Sequence, residues 1–134
     1  MKQVITPERG PKAAGPYSLG IRAHPLVFLS GQIPADPESG ELVSGSIQAQ
    51  TTRVLENLKL ILDAGGLSLE HIVKTTVYLK DMNDFAQMNE TYGTFFNNHP
   101  PARTTIEVAR LPRDVRIEID AIAIDPHEKY PFAK

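Results

Sequence analysis

Cysteine is absent from all 134 residues of this chain. Its absence excludes a disulfide framework, a thiolate nucleophile and any cysteine-ligated metal. A surplus of positive charge is missing too: the formal net charge is −2, whereas broad binding to nucleic acid or anionic membranes needs a basic face. No run approaches ~18 apolar residues, the length of a membrane-spanning helix. The opening MKQVITPERGPKAAGPY lacks the apolar core of a secretory signal. The cytoplasm is therefore the expected compartment. GxGxxG, P-loop and GxSxG patterns do not occur, which leaves dinucleotide, nucleotide-phosphate and serine-hydrolase readings without support. The histidines, His24, His71, His99 and His127, show neither HxH nor HxxxH spacing, and no metal site is expected.

What is present reads as an ordinary globular chain. Hydrophobic residues make up 41% and charged residues 22%, which separates it from disordered sequences. With no repeat, low-complexity tract or linker, residues 1–134 are expected to form one domain. Residues 1–17 read as a short strand and an ordered loop, and Leu26 to Ser30 as a second strand ending at Gly31. From about Ser46 to Ala64, Ile47, Val54, Leu55, Leu58, Ile61 and Leu62 fall at helical spacing, and Gly65-Gly66 stops the run. Ile72 to Leu79 is β-branched and predicts a strand. A second helix is predicted over about Asp84 to Phe96, with Phe85, Met88, Tyr92, Phe95 and Phe96 on one stripe. Asp84 is its expected N-cap, with Gln87 three residues on. Two strands come next, about Thr104–Arg110 and Val115–Ile124, joined as a hairpin through Leu111-Pro112-Arg113-Asp114.

Two helices can cover only one face of such a sheet. In the last strand Val115, Ile117, Ile119, Ala121 and Ala123 share one face, and Arg116, Glu118, Asp120, Ile122 and Ile124 the other. The second face mixes charge with large aliphatics, and a second copy of the chain is expected to cover it.

Arg103 and Glu118 are the residues with the clearest chemical potential. A fixed guanidinium holds a carboxylate through two parallel hydrogen bonds; a nearby carboxylate orients a water or moves a proton. Strand alternation puts Arg103, Thr105 and Glu107 on one face, and a hairpin adds Glu118 to it. The tightest register pairs Glu118 with Glu107, leaving Arg103 ~13 Å away. One site then requires an offset register, a bulge, a bridging substrate or a neighbouring chain. The plainer reading makes both residues members of exposed ion pairs. Ser30, beside Gly31, offers a hydroxyl at a strand end or serves a local turn. Tyr17 lends a hydroxyl or ring to a pocket, or packs. Asn89 is polar beside the apolar stripe of the second helix.

At PARTTIEVARLPRDVRIEIDAIA (101–123) the chain resembles the RidA/YjgF family of reactive enamine/imine deaminases, formerly called L-PSP endoribonucleases. GPYSLG (15–20), LSGQIP (29–34), QTTRVLENLKLIL (50–62) and AGGLSLEHIVKTTVYLKDMNDFAQMNETY (64–92) carry the resemblance over nearly the whole chain. It implies an α/β (α+β) chorismate-mutase-like sheet with two helices packed on one face, in a homotrimer with clefts between subunits. It implies hydrolysis of 2-iminobutanoate and 2-iminopropanoate, tautomers of enamines from pyridoxal-phosphate enzymes, to 2-oxo acids and ammonia, with no cofactor. The family's carboxylate-binding arginine falls on Arg103 and its water-positioning glutamate on Glu118. Substrate-binding positions fall on Tyr17, Ser30, Gly31, Asn89 and Thr105. Thr105 replaces the cysteine of many members, a position thought to act through its backbone. Partners are thus small 2-imino and 2-oxo acids and further copies of the chain, with no membrane and nucleic acid disfavoured. Alternative functions are a ribonuclease or translation inhibitor, a non-catalytic small-carboxylate sensor, and a paralogue acting on another enamine or imine.

Overall fold

The structure, a computed structural model, describes residues 1–127; residues 128–134, part of the single-domain expectation, lie outside the described residues. Among the described residues six strands form one sheet: β1 (Gln3–Ile5), β2 (Gly20–Ala23), β3 (Leu26–Gln32), β4 (Ile72–Leu79), β5 (Ala102–Glu107) and β6 (Ile117–Ile124). Helices α1 (Ile47–Ala64) and α2 (Phe85–Phe95) pack on one face, giving a mixed α+β architecture. The strand order is β1-β2-β3-β6-β4-β5.

The core lies between the helices and the inner sheet face. The α1 stripe of Ile47, Val54, Leu55, Leu58, Ile61 and Leu62 is fully buried, as its spacing requires, against Val27, Val77, Ile117, Ile119 and Ala123. Ser46 caps α1, its Oγ accepting from the Ala49 N–H at 3.1 Å. Past the helix Gly66 takes φ +74°, the left-handed conformation in which glycine avoids the Cβ penalty. A polar residue of α1 shapes the chain just past β3: buried Asn57 donates to the carbonyls of Ile33 and Ala35 at 3.3 and 2.8 Å.

Three expectations need correction. First, β2 (GIRA) was not expected; four residues without a strong β-branched run owe their state to pairing with β1 and β3. Second, Asp84 precedes α2 but makes no side-chain cap. Its carboxylate instead receives the Arg116 guanidinium at 2.8 and 3.3 Å, a tertiary ion pair that outcompetes the local bond. Third, β5 and β6 form no hairpin. α2 is a crossover that returns the chain parallel to β4, so β5 lies on the sheet edge, and β6 inserts between β3 and β4, antiparallel to both. The intervening turn reverses direction through Arg113 and Asp114 at φ +55° and +58°.

Beside the sheet, one guanidinium binds three distant segments. Arg22, buried on β2, donates to Gln3 Oε1 at 2.8 Å and to the Gly65 carbonyl at the end of α1. It also pairs with the buried Asp125 carboxylate at 3.0 Å, just past β6.

Candidate functional site

Register sorts the chemically capable side chains onto two faces. On the helix face Arg103 lies opposite the buried Thr75, and Thr105 opposite the buried Val77. The Arg103 guanidinium carbon sits 4.8 Å from the Tyr92 ring centroid and 5.6 Å from that of Phe85, both on α2. Those are cation–π distances, and they place the guanidinium over both rings. No carboxylate among the described residues forms an ion pair with it. Asn89 falls on α2 between Phe85 and Tyr92. Its Oδ1 and the Thr105 Oγ1 are both buried without a hydrogen-bond partner among the described residues. Buried polar atoms are rarely left so, and these two mark an incomplete polar environment.

Glu118 occupies the other face. It lies opposite Tyr78, between Ile117 and Ile119, which point into the core. Arg103 and Glu118 are therefore separated by β4, three register positions apart, on opposite sides of the sheet. The shared face expected from a hairpin is overturned with the hairpin. Glu118 folds over Gly31, where the β3–β6 register shifts between Leu29 and Gln32. A Cβ on Gly31 would meet the Glu118 carboxylate, its Cδ at 3.0 Å. The bulge thus supplies the opening and the missing side chain lets the carboxylate into it. Burial first, and the Asp120 charge second, raise the Glu118 pKa above the ordinary carboxylate value. Asp120 is itself engaged, accepting from the Tyr78 hydroxyl at 3.0 Å.

Ser30 clips this bulge to the segment before β2, its Oγ donating to the Ser18 carbonyl at 2.6 Å and its N–H to Leu19 O at 2.9 Å. Tyr17, 48% exposed, turns its hydroxyl toward the Ala14 N–H at 3.2 Å. With Gly31, Asn57, Asp36 and Arg113 it borders a groove of about 450 Å³. Arg103, Thr105, Asn89 and Glu118 do not border it. The sequence-derived set therefore divides into an arginine half (Arg103, Thr105, Asn89) and a glutamate half (Glu118, Gly31, Ser30, Tyr17). Among the described residues no three His, Cys, Asp or Glu side chains cluster to hold a metal.

Sequence reasoning missed the roles of Tyr92 and Phe85 around Arg103, treating both as core. Their spacing of seven residues, two turns on one helix face, was the available signal. Phe85 departs from the core stripe at 39% exposure.

Residues 7–125 match the family model described as Endoribonuclease L-PSP. A RutC family protein of Pyrococcus horikoshii is 58% identical, the match covering 92% of this chain and 98% of that protein. A 2-iminobutanoate/2-iminopropanoate deaminase of Salmonella typhimurium is 50% identical over 92% of this chain and 98% of its own length. Among solved structures, a putative endoribonuclease of Thermotoga maritima superposes with a TM-score of 0.91 at 51% identity, covering 95% of this chain and all of that one.

Proposed function

The chain belongs to the RidA/YjgF family, whose model bears the endoribonuclease L-PSP description, and from that premise we propose that it hydrolyses 2-imino acids to 2-oxo acids and ammonia. The observation that carries the reading is Arg103: a guanidinium lying over two rings, with no carboxylate partner among the described residues. A planar fork held in this way suits a small substrate carboxylate. The deaminase name of the Salmonella relative supports the same reaction.

In the proposed reaction Arg103 binds the carboxylate and so fixes the imine carbon. Glu118 accepts a proton from water as the water oxygen bonds to that carbon and the C=N π pair moves to nitrogen, and it passes this proton to nitrogen to give a carbinolamine. It then takes the carbinolamine hydroxyl proton as the C=O bond forms and delivers it to nitrogen as the C–N bond breaks, so one water and one imine become one 2-oxo acid and one ammonia. A carboxylate whose pKa is raised by burial is a better base for this than an exposed one. Tyr17, Ser30, Gly31, Asn89 and Thr105 are proposed to line the substrate.

Arg103 and Glu118 face opposite sides of one sheet, so a substrate meeting both must lie between copies of the chain. We therefore include a homotrimer with inter-subunit clefts in the proposal. The outer sheet face supports it: Val4, Leu26, Phe28, Ile106 and Ile124 are each 38–53% exposed there.

The test is a coupled assay in which an amino-acid oxidase generates defined 2-imino acids. Their decay should accelerate with this protein and return to the background rate with Arg103→Lys. Ribonuclease activity, which the family description names, is the second reading. It would require RNA binding that weakens steeply with added salt, against a net charge of −2.

A further inference from the structure

We propose that Tyr92 is a positioning residue that sets the plane of the Arg103 guanidinium, with Phe85 as its outer guide. This deepens the proposed function and rests on the reading of Arg103 as the carboxylate anchor.

An arginine on an edge strand is a poor anchor by default. Its side chain has many rotamers, and fixing them on ligand binding costs conformational entropy. The fold removes much of that freedom beforehand. Tyr92 is 5% exposed, and its hydroxyl lies 2.8 Å from the Thr75 hydroxyl in the core of β4. Thr75 is also the register partner of Arg103. The strand residue beside Arg103 therefore tethers the ring on which Arg103 stacks. β4, α2 and β5 are locked through three side chains in sequence.

The stacking distance is shortest to this tethered ring, 4.8 Å against 5.6 Å for Phe85. Phe85, more exposed, bounds the guanidinium from the rim. Burial raises the Tyr92 phenol pKa above its ordinary value, and the ring stays neutral where the protein works. A guanidinium held by its face keeps its in-plane N–H groups for a two-point contact with a carboxylate. This also explains a tyrosine where phenylalanine would pack equally well: the hydroxyl holds the ring at a fixed height.

The experiment compares Tyr92→Leu and Tyr92→Phe for 2-oxobutanoate affinity by calorimetry. Ligand-free NMR reads the ring-current shift of the Arg103 δ-protons. Tyr92→Leu should weaken binding roughly tenfold, the scale of one desolvated cation–π contact, and abolish the shift. Tyr92→Phe keeps the ring and should restore affinity to within about threefold, the loss of one neutral hydrogen bond. Equal losses in the two variants would assign Tyr92 a packing role and overturn the proposal, as would parental affinity and shifts in Tyr92→Leu.

If Tyr92→Leu does not fold, Phe85→Leu poses the question at an exposed position. There a two- to threefold loss and a reduced shift are expected from the weaker contact, and neither occurring overturns the proposal. Undiminished 2-oxobutanoate binding in Arg103→Lys would defeat the anchor assignment instead. The ligand-free shift decides the positioning of Arg103 in either case.

Discussion

Replacing Arg103 by lysine keeps the charge on β5 but loses the planar fork, so one of the two hydrogen bonds to a carboxylate disappears. Calorimetry with a 2-oxo acid should record at least about a tenfold loss of affinity, and imine hydrolysis should fall with it. Binding within a few-fold of the parent would make Arg103 structural. Glu118→Gln should behave differently, retaining 2-oxo-acid binding while losing roughly 10²–10⁴-fold of the acid–base contribution to rate. In the parent, the acid limb of kcat/KM should lie above the ordinary carboxylate range, because the Glu118 pKa is raised by burial and then by Asp120. Stability carries the same signature. With the folded pKa above the unfolded one, the folded chain binds more protons between the two values. Its stability is higher below that window and declines as pH rises through it. Thermal melts from about pH 4 to about pH 7 should therefore show Glu118→Gln gaining on the parent as pH rises. A constant difference would place Glu118 in an unperturbed environment. Arg103 and Glu118 stood out in the sequence as candidates, since a guanidinium and a carboxylate have few chemical substitutes. Which way they face was not. Strand alternation gives faces only relative to a known partner, and the partner assumed for β5 was the wrong strand.

Among the elements, α1 was readable because its information is local. A helical stripe, a serine before it and two glycines after it lie within about twenty residues. Ser46→Ala should remove the bond to the Ala49 N–H and destabilise the chain by about 1 kcal/mol, measured by denaturant titration. A change below a few tenths would mean that another group satisfies that donor. The β5–β6 hairpin failed for the converse reason. Adjacent strands joined by a proline-marked turn resemble a hairpin at short range. What decides the pairing is the crossover through α2, which commits β5 to β4 in parallel, and the place left between β3 and β4 for β6. β2 escaped notice because its four residues carry no strong preference of their own.

For the whole molecule, the separation of Arg103 from Glu118 by the sheet gives a sharp test of assembly. Light scattering at micromolar concentration should find a homotrimer. Arg103→Lys and Glu118→Gln chains, each nearly inactive alone, should regain activity when unfolded together and refolded as a mixture. A site that takes its arginine from one chain and its glutamate from the next is intact in about a quarter of random ring interfaces. No recovery in mixed trimers would mean that both residues serve from the same chain. The apolar outer face was foreseen from the last strand alone, where Glu118 and Asp120 alternate with core residues and Ile122 and Ile124 continue the same face. Period-two alternation along a single strand needs no knowledge of its neighbours.

Arg22 has a topological consequence. Because a single side chain touches both Gln3 and Asp125, the first strand and the end of the last one lie within a few ångströms of a common point. A short glycine–serine bridge from just after Asp125 back to Gln3 would turn the chain into a closed loop with the sheet order untouched. The loop could then be reopened at the exposed Asn97-Asn98 bend between α2 and β5. That circular permutant would begin on the arginine-bearing edge strand and end on α2. It would offer two new fusion points beside the proposed cleft.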